Sequence, residues 1–183
     1  MAESLDAQKS GLWSLPVPQT PLTLHGRAVE TVFDLLGTRE NDITFSLGWI
    51  LANCPRLVAS LQRDVLGVPP APATSIGLQE WGEDRGYTDV EIRGPASQLI
   101  LEAKRGWNLP VRAQLERYSG RFASARSALL VVSECSGSYA RRRLPASVAG
   151  VEVHHRSWAE IAELVRSLKS SGGPSERKSR GNW

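Results

Sequence analysis

The stretch around residues 87–104 restricts the fold more than any other part of this chain. Two short runs, YTDVEIR and QLILEAK, alternate apolar and polar side chains on either side of Gly94-Pro95-Ala96-Ser97, a turn composition. A period of two is the signature of a half-buried strand. It puts Val90 and Ile92 on one face, with Asp89, Glu91 and Arg93 on the other. In the second run Leu99, Leu101 and Ala103 lie opposite Ile100, Glu102 and Lys104. A four-residue loop that closes symmetrically pairs Arg93 with Gln98, Val90 with Leu101 and Asp89 with Glu102. Directly opposed residues have Cβ atoms roughly 4.5–5.5 Å apart, so two carboxylates are placed side by side with Lys104 two residues beyond.

Like charges placed directly opposite each other destabilise a sheet, so this pair calls for a cation between its members. A divalent ion such as Mg²⁺ takes oxygen ligands and keeps several waters. It can polarise a phosphoryl oxygen and make a bound water nucleophilic near neutral pH. Lys104 beside it would orient that water or stabilise charge developing on the phosphate. This donor set points to phosphodiester hydrolysis.

The surrounding pattern sets the hairpin in an α/β frame. A helix is expected over about 39–53, with Thr38 as cap, acidic Glu40 and Asp42 in its first turn, and Ile43, Leu47, Ile50 and Leu51 at helical spacing. Pro55 opens a second helix that ends before the GVPPAPA stretch. Strands are expected at 76–81, 87–93, 98–104, 128–133 and 151–155. A helix is expected over about 111–125 and another from Trp158, capped by Ser157. Helices and strands in this order describe a three-layer α/β domain in which helices flank a central mixed β-sheet. The chain divides into an extended, proline-bearing arm over 1–24, one folded domain over 25–168, and a basic Ser/Gly-rich tail over 169–183 expected to be flexible. A length of 183 residues leaves room for one such domain.

Asp89, followed on the next strand by Glu102-Ala103-Lys104, resembles the PD-(D/E)XK nuclease superfamily, whose members share the restriction-endonuclease-like fold. The resemblance implies a metal-dependent nuclease. Asp89, Glu102 and the backbone carbonyl of Ala103 would bind Mg²⁺ or Mn²⁺, and Lys104 would act on the attacking water. The family's usual proline before the aspartate is replaced here by Thr88. Gln114-Leu115-Glu116-Arg117-Tyr118 is similar to the Q-x-x-x-Y element of RecB-like branches, and places Gln114 and Tyr118 on one helix face, within reach of the site. An acidic residue of an N-terminal helix often completes the family's site; Glu40 is the candidate. By family habit the substrate is DNA rather than RNA. The alternative is a non-catalytic nucleic-acid-binding or protein-interaction module that keeps the fold. A lone domain of this size often acts as a homodimer or within a larger complex.

The motif alone is weak, because about one [DE]-x-K is expected by chance in a chain of this length. Glu176-Arg177-Lys178, in the tail, is such an occurrence. Strand context and the register with Asp89 distinguish Glu102-Ala103-Lys104 from it. Of the neighbouring polar residues, Glu91 reads as a surface partner of Arg93, and Gln79 and Glu80 as strand decoration. Arg112, Arg117, Arg121 and Arg126, with Arg141-Arg142-Arg143, are candidates to grip phosphates or to form a solvated face. His25, His154 and His155 show no ligand spacing with the acids. Cys54 and Cys135 lack partners at zinc-site spacing and read as reduced, buried thiols. The net charge of +3 permits a polyanionic partner. No apolar run approaches a membrane span and the first residues lack a secretory signal, so a cytoplasmic location is the default expectation.

Overall fold

A computed structural model of the protein describes residues 20–30, 41–67, 69, 71–83 and 85–170. In chain order these form β1 (Leu22–Leu24), β2 (Arg27–Ala28), α1 (Asp42–Asn53), α2 (Pro55–Leu66), β3 (Ser75–Trp81), β4 (Tyr87–Arg93) and β5 (Ser97–Ala103). Then follow α3 (Arg112–Ser119), β6 (Arg126–Ser133), α4 (Gly137–Arg143), β7 (Ser147–Val148), β8 (Val151–Ser157) and α5 (Trp158–Ser170). The strands make one mixed sheet in the order β2-β1-β3-β4-β5-β6-β8-β7. The expected α/β architecture, a central mixed sheet between layers of helix, is the observed one.

The alternation read in the hairpin is what separates the two cores. Val90, Ile92, Leu99 and Leu101 face a core closed by Leu47, Leu51, Leu57, Leu61 and Ile161 of α1, α2 and α5. Ile100, one residue out of phase, faces the opposite core with Leu115 and Tyr118 of α3. The β4–β5 register pairs Val90 with Leu101 and Arg93 with Gln98, as the symmetric loop requires.

Helix boundaries follow local chemistry. Pro55 starts α2, where its missing N–H costs nothing, and Gly67 ends it at φ 60°, with its N–H bonded to Arg63 O at 3.1 Å. Ser157 and Glu160 open α5 as a reciprocal capping box: Ser157 Oγ accepts the Glu160 N–H at 3.1 Å, and the Glu160 carboxylate accepts the Ser157 N–H at 2.6 Å. That backbone bond holds the Glu160 carboxyl below the usual carboxylate range.

Several expectations need correcting. The sheet begins before His25, because Leu22–Leu24 pairs in parallel with β3 and Leu22 is buried. The helix expected to reach 125 ends at Ser119, where the Ser119 hydroxyl bonds back to Glu116 O and Gly120 follows. α4 was not anticipated; Ser136 caps it by accepting the Tyr139 N–H. In α1 the buried stripe is Thr44, Leu47, Gly48 and Leu51, while Ile43 and Ile50 are exposed. Gly48 explains the rotation, since a Cβ there would collide with the fully buried Leu78 of β3. Thr38, Glu40 and the tail from residue 171 lie outside the described residues.

The topology positions the site. β1 runs parallel to β3, β5 to β6 and β6 to β8, while β4 is antiparallel to both β3 and β5. The carboxyl ends of β1, β3, β5, β6 and β8 therefore meet at one edge of the sheet, and β4 begins there. In open α/β sheets this is the edge where ligands are bound.

Candidate active site

Asp89 and Glu102 reach this edge from β4 and β5. The strand ladder last pairs Val90 with Leu101, and beyond it the Asp89 side chain replaces the backbone. Asp89 Oδ2 accepts the Ala103 N–H at 2.8 Å, and Oδ1 accepts from Gln79 Nε2 at 2.9 Å. Gln79 adopts φ 50°, a left-handed backbone unusual for a residue with a Cβ. Such strain concentrates at functional positions. The β3–β4 register pairs Leu78 with Val90 and Glu80 with Thr88, which sets Gln79 opposite Asp89.

Glu102 is almost wholly buried and held by three side chains. Gln114 Nε2 donates to Oε1 at 2.6 Å, Tyr118 donates its hydroxyl to Oε2 at 2.8 Å, and Lys104 Nζ forms an ion pair with Oε1. Gln114 also donates to the Tyr118 hydroxyl at 2.9 Å, so both residues act on Glu102 as a unit. The hydroxyl lies 3.0 Å from Tyr87 O as well, tying α3 to the start of β4. Burial and the Glu102 charge push the Tyr118 phenol above its ordinary range, so it stays a proton donor.

Asp89 feels the charge of Glu102. Burial first, and then the charge on Glu102, raise the Asp89 carboxyl to about 6 from an ordinary 3.8; the Ala103 N–H and Lys104 only partly offset this. Beside Asp89 opens a cavity of about 210 Å³ lined by Asn41, Thr44, Ala103, Lys104, Arg105 and Trp158, among others. Trp158 Nε1 donates to Lys104 O at 3.0 Å and fixes the strand end next to that cavity.

Of the expected residues, Glu102, Lys104, Gln114 and Tyr118 form one hydrogen-bonded group, while Asp89 is bonded separately to Gln79 and to the Ala103 N–H and feels the Glu102 charge. Glu40, the expected third acid, lies outside the described residues. Among those described, no set of three or more His, Cys, Asp or Glu side chains is gathered in a way that could hold a metal ion. Asp89 and Ala103 line the cavity while Glu102 is buried behind them; a carboxylate and a backbone carbonyl are the oxygen types that Mg²⁺ accepts while keeping its waters.

Other residues depart from their sequence reading. Glu91 does pair with Arg93, at 2.6 Å, but it is buried rather than on the surface. Thr88, just before Asp89, donates its hydroxyl to Glu91 at 2.8 Å. Arg121 is turned inward: it donates to Glu80 O and Gly86 O and lies 5.4 Å from the Tyr118 ring centroid, bracing the site rather than facing a phosphate. Arg126 starts β6, at the end of the sheet away from Glu102. Arg112 pairs with Glu116 on the exposed side of α3. His154 bonds to Glu152 and His155 to Ser133. Both cysteines are free thiols, Cys135 buried and Cys54 partly so.

Gln79 is the site residue that sequence reasoning undervalued. Extending the hairpin register across the turn before Tyr87 would have placed it opposite Asp89.

No protein-family model matches the chain, and no curated protein matches it. Among solved structures it is similar to the small subunit of the heterodimeric restriction endonuclease R.BspD6I, with a TM-score of 0.40 and 12% identity over 77% of this chain and 76% of that one. No helix among the described residues is long and apolar enough to cross a membrane.

Proposed function

We propose that the protein is a metal-dependent nuclease of the PD-(D/E)XK type that hydrolyses phosphodiester bonds, in DNA rather than RNA. One observation carries this reading: Glu102 is gripped by Lys104, Gln114 and Tyr118, while Asp89 stands close enough for the Glu102 charge to raise its pKa. The strand motif and the helix motif, separate in the sequence, thus act on one carboxylate. Asp89, Glu102 and the Ala103 carbonyl would hold Mg²⁺ or Mn²⁺, and such an ion supplies Lewis-acid polarisation and a more acidic bound water. Gln114 and Tyr118 fix the direction of the Glu102 carboxylate. Lys104, paired with Glu102, would orient the attacking water and stabilise charge on the phosphate. Asp89 is held in place by Gln79 and by the Ala103 N–H.

Cleavage of linear, circular and single-stranded substrates, with and without Mg²⁺ or Mn²⁺, tests the proposal. Activity should need the metal and fall by at least about a hundredfold in Lys104→Ala and Glu102→Ala. Activity that survives both substitutions refutes the assignment.

A second reading is a non-catalytic nucleic-acid-binding module. What favours it is that all four carboxylate oxygens of Asp89 and Glu102 already have protein donors. Under this reading nucleic acid binds but is not cut under any metal condition.

A further inference from the structure

The large aromatic side chains left exposed among the described residues are Trp81, Tyr87 and Trp107, at 60%, 48% and 60%. All three sit at the edge of the sheet that carries Asp89 and Glu102. Trp81 ends β3 and is paired across the ladder with Tyr87, which begins β4 two residues before Asp89. Their rings meet edge to face, with centroids 4.8 Å apart, and His25 approaches Tyr87 in the same manner at 5.5 Å. On the other side of the acids, Trp107 follows Lys104 in the loop after β5 and meets Tyr139 of α4 edge to face at 5.3 Å. That loop is fastened to the end of β6 by the Glu134 N–H bonded to Gly106 O. Trp107 is five residues from Glu102, hence at most about 17 Å away along the chain.

On the Trp107/Tyr139 side the charge is mainly positive. Arg143 lies 5.3 Å from the Tyr139 ring centroid. Arg105 in the loop after β5 and Arg141 and Arg142 of α4 are exposed, with Glu134 the exposed acid between those segments; beside Trp81 the exposed charges among the described residues are Glu83 and Arg85, one of each sign. Trp81 and Trp107, more than half exposed, keep indole surface open to solvent beside these contacts. Water-exposed indoles cost free energy unless something covers them. Aromatic faces beside arginines fit one partner chemistry well: unpaired nucleobases on a polyanionic backbone, where bases stack on rings and cations follow the phosphates. A duplex keeps its base faces stacked inside and offers these rings only its backbone and groove edges.

We infer that the protein binds single-stranded nucleic acid across this edge, with bases stacked on Trp81/Tyr87 on one side of Asp89 and Glu102 and on Trp107/Tyr139 on the other. This deepens the nuclease reading and depends on it only for what happens to the phosphate in between. Stacking can therefore be measured without cleavage.

The test is fluorescence anisotropy of a labelled mixed-sequence oligonucleotide with the full chain carrying Glu102→Gln, in EDTA at fixed low salt. Single strand should bind at least about tenfold tighter than the matching duplex. Trp107→Ala and Trp81→Ala should each weaken single-strand binding by roughly tenfold, with Trp107→Phe restoring most of the loss. A strand of the same length with abasic positions should bind more weakly, and Trp107→Ala should not weaken it further. Equal affinity for single strand and duplex, or tryptophan variants that bind the single strand like the parent, overturns the proposal. So does a parent dimer that Trp107→Ala dissociates with no change in oligonucleotide affinity, since the rings would then serve a second copy of the chain. If single strands bind as expected while the wild type cuts nothing with Mg²⁺ or Mn²⁺, stacking stands and the nuclease reading fails.

Discussion

Asp89 has a donor on each oxygen and still holds its proton more tightly than an ordinary aspartate. Burial and the neighbouring Glu102 charge outweigh the Ala103 N–H and Lys104. The sign of the consequence for stability follows from linkage. The folded-state value, about 6, lies above the ordinary 3.8, so the native state binds the proton more strongly than the unfolded chain. The stability this contributes is complete below about pH 4 and is lost as pH rises through 6. Above that, the metal-free protein carries an ionised Asp89 at a cost on the order of 3 kcal/mol. Asp89→Asn removes the charge and keeps the shape: the new amide oxygen can accept the Ala103 N–H, while its NH₂ donates to a flipped Gln79 amide. In EDTA this variant should be more stable than wild type by about 1–3 kcal/mol at pH 8 and should lose that advantage near pH 4, as read by urea denaturation at the two pH values. A variant no more stable than wild type at pH 8 would show that Asp89 is not strained by its neighbour.

At the scale of elements, the β4–β5 hairpin was legible because period-two patterning and a turn of defined length fix register without tertiary information. α2 was legible because Pro55 and Gly67 mark its ends. Register brought Asp89 to the strand of Glu102, although the ladder stops at Val90–Leu101 and Asp89 takes the Ala103 N–H instead of pairing with Glu102; helical spacing put Gln114 with Tyr118. The rest depended on packing. Ile43 and Ile50 read as core, yet α1 turns Gly48 to the sheet because only a residue without a side chain lets the helix approach Leu78. Arg121 and Glu91 read as surface charges but are buried together, 3.6 Å apart, beneath the end of α3. No sequence period announces a buried ion pair. Because α1 leans on the sheet through Gly48, and its first turn lines the cavity beside Asp89, this contact also shapes the site. Gly48→Val should cost about 2 kcal/mol or more in chemical denaturation, since Leu78 has nowhere to move. If the strain is relieved by displacing α1, the variant should also lose metal-dependent cleavage more steeply than its stability predicts at temperatures where it remains folded.

At the scale of the molecule, one topological fact gathers the candidate chemistry. Five strands point their carboxyl ends at one edge, and an antiparallel sixth starts there. Asp89, Glu102, Lys104 and the exposed Trp81, Tyr87 and Trp107 are brought to that edge from segments spread between residues 81 and 107. Gln114 and Tyr118 reach it from the crossover helix. Burial and the Glu102 charge raise the energy of an ionised Asp89, and a divalent cation is the partner that would relieve it. That Asp89 and Glu102 hold such a cation together is tested most directly by calorimetric titration of Mn²⁺ into the wild type, Asp89→Ala and Glu102→Ala. Saturable binding to the wild type at about one ion per chain, abolished or weakened at least about tenfold by either substitution, is the predicted result. No binding to the wild type, or binding that neither substitution disturbs, would contradict it.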